Sequence, residues 1–98
     1  MSYQIEYSLD TEEHLRALTA RQIQIVLDAV DEQLAHLPTL ETRNRKPMRP
    51  NPLAPWELRI GSLRVYYDVE DESETVIILA VGIKYGNRLR IGKKVIDL

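Results

Sequence analysis

Trp56-Glu57-Leu58-Arg59-Ile60-Gly61-Ser62-Leu63-Arg64-Val65-Tyr66-Tyr67-Asp68 alternates apolar and polar residues on either side of Gly61-Ser62. That is the pattern of two antiparallel strands joined by a two-residue turn with glycine in its first position. In this register Ile60 faces Leu63, Arg59 faces Arg64, Leu58 faces Val65, Glu57 faces Tyr66 and Trp56 faces Tyr67. One face of the hairpin, extended by Val69, is then apolar throughout. The other sets two guanidinium groups directly across from each other, which is unfavourable by itself and calls for solvent screening or an anion between them.

Downstream, Glu70 to Glu74 makes an acidic turn, and Thr75-Val76-Ile77-Ile78-Leu79-Ala80-Val81 is an unbroken β-prone run that reads as an interior strand covered on both faces. Gly82 breaks it, Lys84 to Arg88 is a basic turn-like segment, and Leu89 to Leu98 fits either a short strand or an irregular tail. Upstream, Tyr3 to Ser8 alternates with period two and reads as a first strand. Asp10, with Glu13 three positions on, is the expected N-cap of a helix that buries Leu15 and Leu18. A second helix is expected from about Thr19 to Leu37, because Ile23, Val26, Leu27, Val30, Leu34 and Leu37 share one face. Pro38 ends it. The next segment, Pro38 to Pro55, holds all five prolines and no periodic pattern, so it reads as a long loop.

These elements predict an α+β two-layer domain in the order β-α-α-β-β-β, a helical hairpin packed on an antiparallel sheet. The apolar side of the Trp56–Asp68 hairpin meets the long helix, and Arg59, Arg64 and Tyr66 face solvent on the other side. Lys84, just past the interior strand, approaches that same surface.

Ninety-eight residues make one small domain, too short to split into two. The absence of cysteine removes disulfides, thiolate metal sites and a cysteine nucleophile together. Met1 to Gln4 carries no basic leader before an apolar run, and the longest apolar stretch is too short to cross a membrane, so a soluble cytoplasmic protein is the expectation. The net charge of −2 hides segregation: residues 1–38 carry −5, 39–64 carry +4, 65–83 carry −5 and 84–98 carry +4. Two basic blocks can form one positive surface if the fold joins them.

The element order in so short a chain, the opening Tyr3-x-Ile5-x-Tyr7-Ser8, the Trp56-Glu57-Leu58-Arg59-Ile60-Gly61 block, the Arg64-Val65-x-Tyr67-x-Val69 strand and the Ala80-Val81-Gly82-x-Lys84 strand end together resemble the RelE/ParE superfamily of bacterial type II toxin–antitoxin toxins. The resemblance covers nearly the whole chain and implies a single toxin domain over residues 1–98. Members similar to RelE are ribosome-dependent endoribonucleases that cut messenger RNA and leave a 2′,3′-cyclic phosphate; members similar to ParE act on DNA gyrase instead. The resemblance therefore implies a cognate antitoxin as partner, with ribosome and mRNA, or alternatively gyrase, as target. It implies no cofactor. In the RelE branch basic residues on the concave sheet face carry catalysis, and the matching positions are Arg59, Arg64 and Lys84. Two positions depart: an expected basic residue is Glu57, and an expected aromatic is Arg90.

Cutting RNA through its own 2′-hydroxyl needs a base, cations for the crowded phosphorane and an acid for the 5′-oxygen. Arginine suits the second role, since its planar fork holds two phosphate oxygens and stays charged. Glu57 fits the base, or an ion pair with a neighbouring arginine on the exposed sheet face. Arg43, Arg45, Lys46 and Arg49 of the loop, with Arg88 and Arg90 near the end, are candidate RNA-backbone contacts or solvated surface charges. Tyr66 is a candidate base-stacking platform or a structural strand residue. His14 and His36 have no partner at useful spacing and receive no role. Trp56 reads as a core anchor, and neither metal-ligand spacing nor a glycine-rich phosphate loop is present. The leading expectation is a toxin that cleaves mRNA on the ribosome; the alternatives are a non-catalytic gyrase poison and a degenerate member that only binds its antitoxin.

Overall fold

A computed structural model describes residues 2–97; Met1 and Leu98, the last residue of the expected tail, lie outside the described residues. Its elements run β1 (Gln4–Tyr7), α1 (Leu9–Arg16), α2 (Ala20–Leu34), β2 (Arg45–Pro47), β3 (Trp56–Ile60), β4 (Leu63–Glu70), β5 (Thr75–Tyr85), β6 (Arg88–Ile91) and β7 (Lys94–Asp97). The two helices cover one face of a sheet ordered β2-β3-β4-β5-β6-β7.

β5 is the interior strand that its run of β-branched residues predicts. Along one edge it pairs with β4, from Leu63 opposite Ile83 to Glu70 opposite Thr75. Its other edge is shared. β1 takes the first half in parallel, Gln4 opposite Thr75 through Tyr7 opposite Ile78, and β6 takes the second half, Gly82 opposite Ile91 through Tyr85 opposite Arg88. The sheet is thus antiparallel except for β1, a refinement that alternation along Tyr3–Ser8 leaves open because period two sets the faces of a strand and not its direction.

The β3–β4 register is the expected one at all five pairs, from Trp56 opposite Tyr67 to Ile60 opposite Leu63. Gly61 has φ +58° and Ser62 has no positive φ, as a turn with glycine first requires. On the helix side, Leu58, Val65, Tyr67, Val76, Ile78 and Val81 meet Val26, Val30 and Leu34, all fully buried. Burial of each large aliphatic chain contributes roughly 1.5–3 kcal/mol. Trp56 is half-buried and stacks on Tyr67 with ring centres 6.2 Å apart, and the Tyr67 hydroxyl donates to the Pro38 carbonyl at 2.7 Å.

Both helices begin or end away from their expected limits. α1 is capped at Ser8 rather than Asp10, because the fully buried Thr11 bonds the Ser8 carbonyl through both its amide and its hydroxyl. α2 starts as predicted, with a reciprocal Thr19–Gln22 capping box. It stops at Leu34; Leu37 is 65% exposed at φ +48°, so the apolar stripe outruns the helix by one turn.

The expected loop contains β2, which pairs Arg45–Pro47 with Trp56–Leu58. Beyond it Asn51 fastens residues 49–54: its Oδ1 accepts from the Leu53 and Ala54 amides, and its Nδ2 donates to the Arg49 and Ala54 carbonyls. The tail is a regular hairpin, β6–β7, instead of an irregular segment.

Together the loop and this hairpin make a second small core on the face opposite the helices. Ala54, Tyr66, Ala80, Leu89 and Ile91 are buried there, flanked by Met48, Leu53, Leu79 and Ile96. Tyr66 therefore does not face solvent as expected. It is 0% exposed, because the loop folds back over its side of the sheet.

Candidate functional site

Residues paired across adjacent strands project to the same side of a sheet, so the registers define rows on the face opposite the helices. One row is Lys46, Glu57, Tyr66 and Ala80. The next is Arg59, Arg64, Gly82, Ile91 and Lys94. A third holds Lys84, Leu89 and Ile96. Glu57, Arg59, Arg64 and Lys84 thus share one surface, contributed by three neighbouring strands.

The facing arginines avoid each other by turning to different acceptors. Arg59 donates through Nε to the Glu57 Oε1 at 2.6 Å, with the arginine side chain 48% exposed and the glutamate 8%. Arg64 folds back on the hairpin turn and donates to the Gly61 and Leu63 carbonyls at 2.7 and 2.9 Å, while its Nε is buried without a partner. The Tyr66 hydroxyl, opposite Glu57, is likewise buried and makes no hydrogen bond of regular geometry, though the Glu57 carboxylate is near enough to serve as its acceptor. Burial pushes its phenol well above the ordinary value, the Glu57 carboxylate adds to the rise, and Arg64 and Arg59 oppose it. Lys84 is half-buried beside the turn, its amide donating to the Ser62 carbonyl at 2.8 Å.

The remaining candidates divide. Arg45 is taken up structurally: its guanidinium donates to the carbonyls of Gln33, His36 and Leu40, closing the C-terminal end of α2. Arg90 lies opposite Ile83, on the helix side of the sheet, and reaches the Ala17 carbonyl at 3.4 Å. Arg88 is exposed at the start of β6, opposite Tyr85. Lys46 lies in the Glu57 row and pairs with Glu41 at 3.5 Å. Arg43 and Arg49 are exposed on the loop. The fold brings Lys46 to the Arg59–Arg64–Lys84 surface and keeps Arg45 and Arg90 from it.

His14, given no role from sequence, packs against the open part of the β5 edge and accepts the Val81 amide through Nδ1 at 3.3 Å. It also lines a groove of 590 Å³ with Glu13, Leu53, Leu79, Ile91 and Lys94. None of Glu57, Arg59, Arg64 and Lys84 lines that groove. Among the described residues no cluster of three or more histidine or acidic side chains is placed to hold a metal ion, and no helix is long and apolar enough to cross a membrane.

A helical hairpin on this sheet is the fold of RelE/ParE superfamily toxins, and comparison with known proteins places the chain among them. The family described as "ParE toxin of type II toxin-antitoxin system, parDE" matches residues 5–84, and the chain belongs to it. Solved structures agree. The toxin–antitoxin complex RelBE2 from Mycobacterium tuberculosis is similar at 26% identity and TM-score 0.75, over 86% of this chain and 93% of that one. The archaeal RelE–RelB complex from Pyrococcus horikoshii OT3 gives 20% and 0.66, over 83% and 93%. A double arginine-to-alanine mutant of the E. coli toxin RelE in the free state gives 22% and 0.68, over 85% and 84%. No curated protein matches the sequence.

Proposed function

We propose that this toxin is a ribosome-dependent mRNA endonuclease that arrests translation in the cytoplasm and is held in check by a cognate antitoxin. The observation that carries this reading is the register that gathers one carboxylate and three cations, Glu57, Arg59, Arg64 and Lys84, on a single sheet face. In the proposed reaction Glu57 takes the 2′-hydroxyl proton and the 2′-oxygen bonds to the adjacent phosphorus. The P–O5′ bond breaks, the departing 5′-oxygen takes a proton from the Lys84 ammonium, and a 2′,3′-cyclic phosphate and a 5′-hydroxyl result. Arg59 and Arg64 stabilise the phosphorane oxygens. Lys46, Arg43 and Arg49 supply backbone contacts beside the cleavage point. An antitoxin fits because two of the similar structures are toxin–antitoxin complexes, and an extended or helical segment laid over this basic face would cover it.

The test adds purified protein to a translation reaction and maps mRNA ends by primer extension. Cleavage that needs ribosomes and disappears in Arg64→Ala is the expected result; intact mRNA with continuing translation overturns the proposal. A second reading, inhibition of DNA gyrase without catalysis, is favoured by the matched ParE family and by the engagement of Glu57 with Arg59. Loss of gyrase supercoiling with intact mRNA is its signature.

A further inference from the structure

Beside the open part of the β5 edge, charges of opposite sign line one groove without pairing. Asp10 and Glu13, three residues apart on α1, supply the acids of the 590 Å³ groove, and Lys93 and Lys94 at the β6–β7 turn supply the bases. None of the four makes an ion pair among the described residues. Between them the lining is apolar, from Leu53, Leu79, Ile91 and Ile96. The volume falls within the range of about 300–1,000 Å³ usual for small-ligand sites. His14 lines the α1 side. Because its Nδ1 accepts the Val81 amide, the neutral ring carries its proton on Nε2, and that donor has no partner among the described residues. The same bond closes the groove to an added peptide strand, which would need that amide for itself.

We infer that this groove binds a guanine nucleotide, with the purine on the apolar lining, its N1–H and 2-amino group donating to the α1 acids, and its phosphate held by Lys93 and Lys94. The distribution of charge selects the ligand. Whatever spans the groove must offer donors at one end, an anion at the other and a flat apolar middle. Among the four common bases only guanine sets two donors side by side, so that one carboxylate can accept both. Adenine, cytosine and uracil each place an acceptor next to the donor and would turn a lone pair toward the carboxylate. The guanine O6, adjacent to N1, needs a donor, which His14 Nε2–H supplies. Desolvation lowers the His14 pKa and so keeps the ring in that neutral form. Lysine suits the phosphate as a compact point charge. None of Glu57, Arg59, Arg64 and Lys84 lines the groove, so the site is separate from the proposed cleavage residues. Lys94 nevertheless shares the cross-strand row of Arg59 and Arg64, which makes the groove reachable by a nucleotide of a bound RNA strand as well as by a free one.

Only the use of this site on RNA rests on the proposed ribonuclease reading; the site itself is measured on the toxin alone. 5′-GMP, 5′-IMP and 5′-AMP are titrated into the protein and followed by calorimetry and backbone amide NMR. GMP is expected to shift resonances of α1 and the β6–β7 turn and to bind about tenfold tighter than IMP, which lacks the 2-amino donor and so one charge-assisted hydrogen bond. AMP is expected to bind more weakly still. Asp10→Asn combined with Glu13→Gln should erase the difference between GMP and IMP. Lys93→Ala combined with Lys94→Ala should weaken both by about tenfold and keep the difference between them. All four residues are exposed, so these variants retain the fold, which an unchanged Tm verifies. Equal affinity for the three nucleotides, shifts confined to other elements, or a GMP preference that survives the loss of both acids overturns the proposal. The two sources of the nucleotide separate in the mapped mRNA ends. A guanine at one fixed distance from the cut, lost in the variant without the acids, assigns the site to the RNA strand; cuts without that preference, with GMP binding intact, assign it to a free nucleotide. If GMP binds selectively while mRNA stays intact on the ribosome, only the ribonuclease reading falls. If mRNA is cut and GMP shows no preference, only the guanine site falls.

Discussion

The imidazole of His14 on α1 accepts the main-chain amide of Val81 on β5, 3.3 Å away, at the one stretch of that strand's edge that neither β1 nor β6 covers. A helix side chain thus takes the place of a missing strand.

That contact makes stability pH-dependent. Desolvation lowers the His14 pKa from its ordinary value of 6.5, with Asp10 and Glu13 pulling the other way, so the folded state prefers neutral imidazole. A depressed base contributes stability that is fully present above the unfolded value and is lost as pH falls through the folded one. Thermal melts from pH 7.5 to 5 should show Tm falling below about 6.5, and His14→Ala should remove part of that slope. At pH 7.5 the same variant should cost about 1 kcal/mol, for the unpaired Val81 amide.

Gly82 should not tolerate a methyl group. A Cβ there would press into the Arg90 main-chain carbonyl and against the Ile91 side chain, so β6 would have to move off β5. Gly82→Ala is expected to lower stability by about 1–3 kcal/mol, read from denaturant unfolding, with faster amide exchange concentrated in β6 and β7. Uniform loss across the sheet would argue against this cause.

Replacing Arg45 separates support from RNA contact. Its guanidinium holds the Gln33 and His36 carbonyls at the end of α2 and the Leu40 carbonyl of the loop beyond, so Arg45→Ala should destabilise by about 1.5–3 kcal/mol. Arg45→Lys, lacking the fork, should restore little. At a temperature where the variants stay folded, toxicity of the two Arg45 variants should match the parent, whereas Arg59→Ala should abolish it and also lower Tm, since it leaves the buried Glu57 carboxylate unpaired.

Asn51→Ala should release the loop without unfolding the protein. The Leu53 and Ala54 amides, which lose their acceptor, should exchange markedly faster, and Tyr66 should become accessible to a fluorescence quencher, at a global cost of about 1–2 kcal/mol.

The hairpin was legible because alternation on both flanks of Gly61-Ser62 leaves one register that keeps Trp56, Leu58, Val65 and Tyr67 on the same face. The same rule predicted that Arg59, Arg64 and Glu57 share the other face. The pairing of Glu57 with a neighbouring arginine was one of its two readings from sequence and is present as the Arg59–Glu57 bond, but residue pattern does not report where a side chain turns within its face, so the fold-back of Arg64 was not readable. The burial of Tyr66 was hidden for a different reason: its cover comes from Met48, Leu53 and Ala54, in a stretch whose prolines erase periodicity. The β6–β7 hairpin did leave a signal, the Leu89/Ile91 alternation before Gly92, though the charged residues around it blur that pattern. Arg45 resembled its basic neighbours because bonding to carbonyls has no sequence mark.

The parallel pairing of β1 carries a consequence for how the protein is made. Gln4 finds its sheet partner at Thr75, so β1 cannot take its place in the sheet until the chain as far as β5 has been made. Domains fold from their N-terminus when local contacts allow it; here β1 must wait for β5. The nascent chain consequently holds no assembled Arg59–Arg64–Lys84 surface until β5 is available to pair with β4.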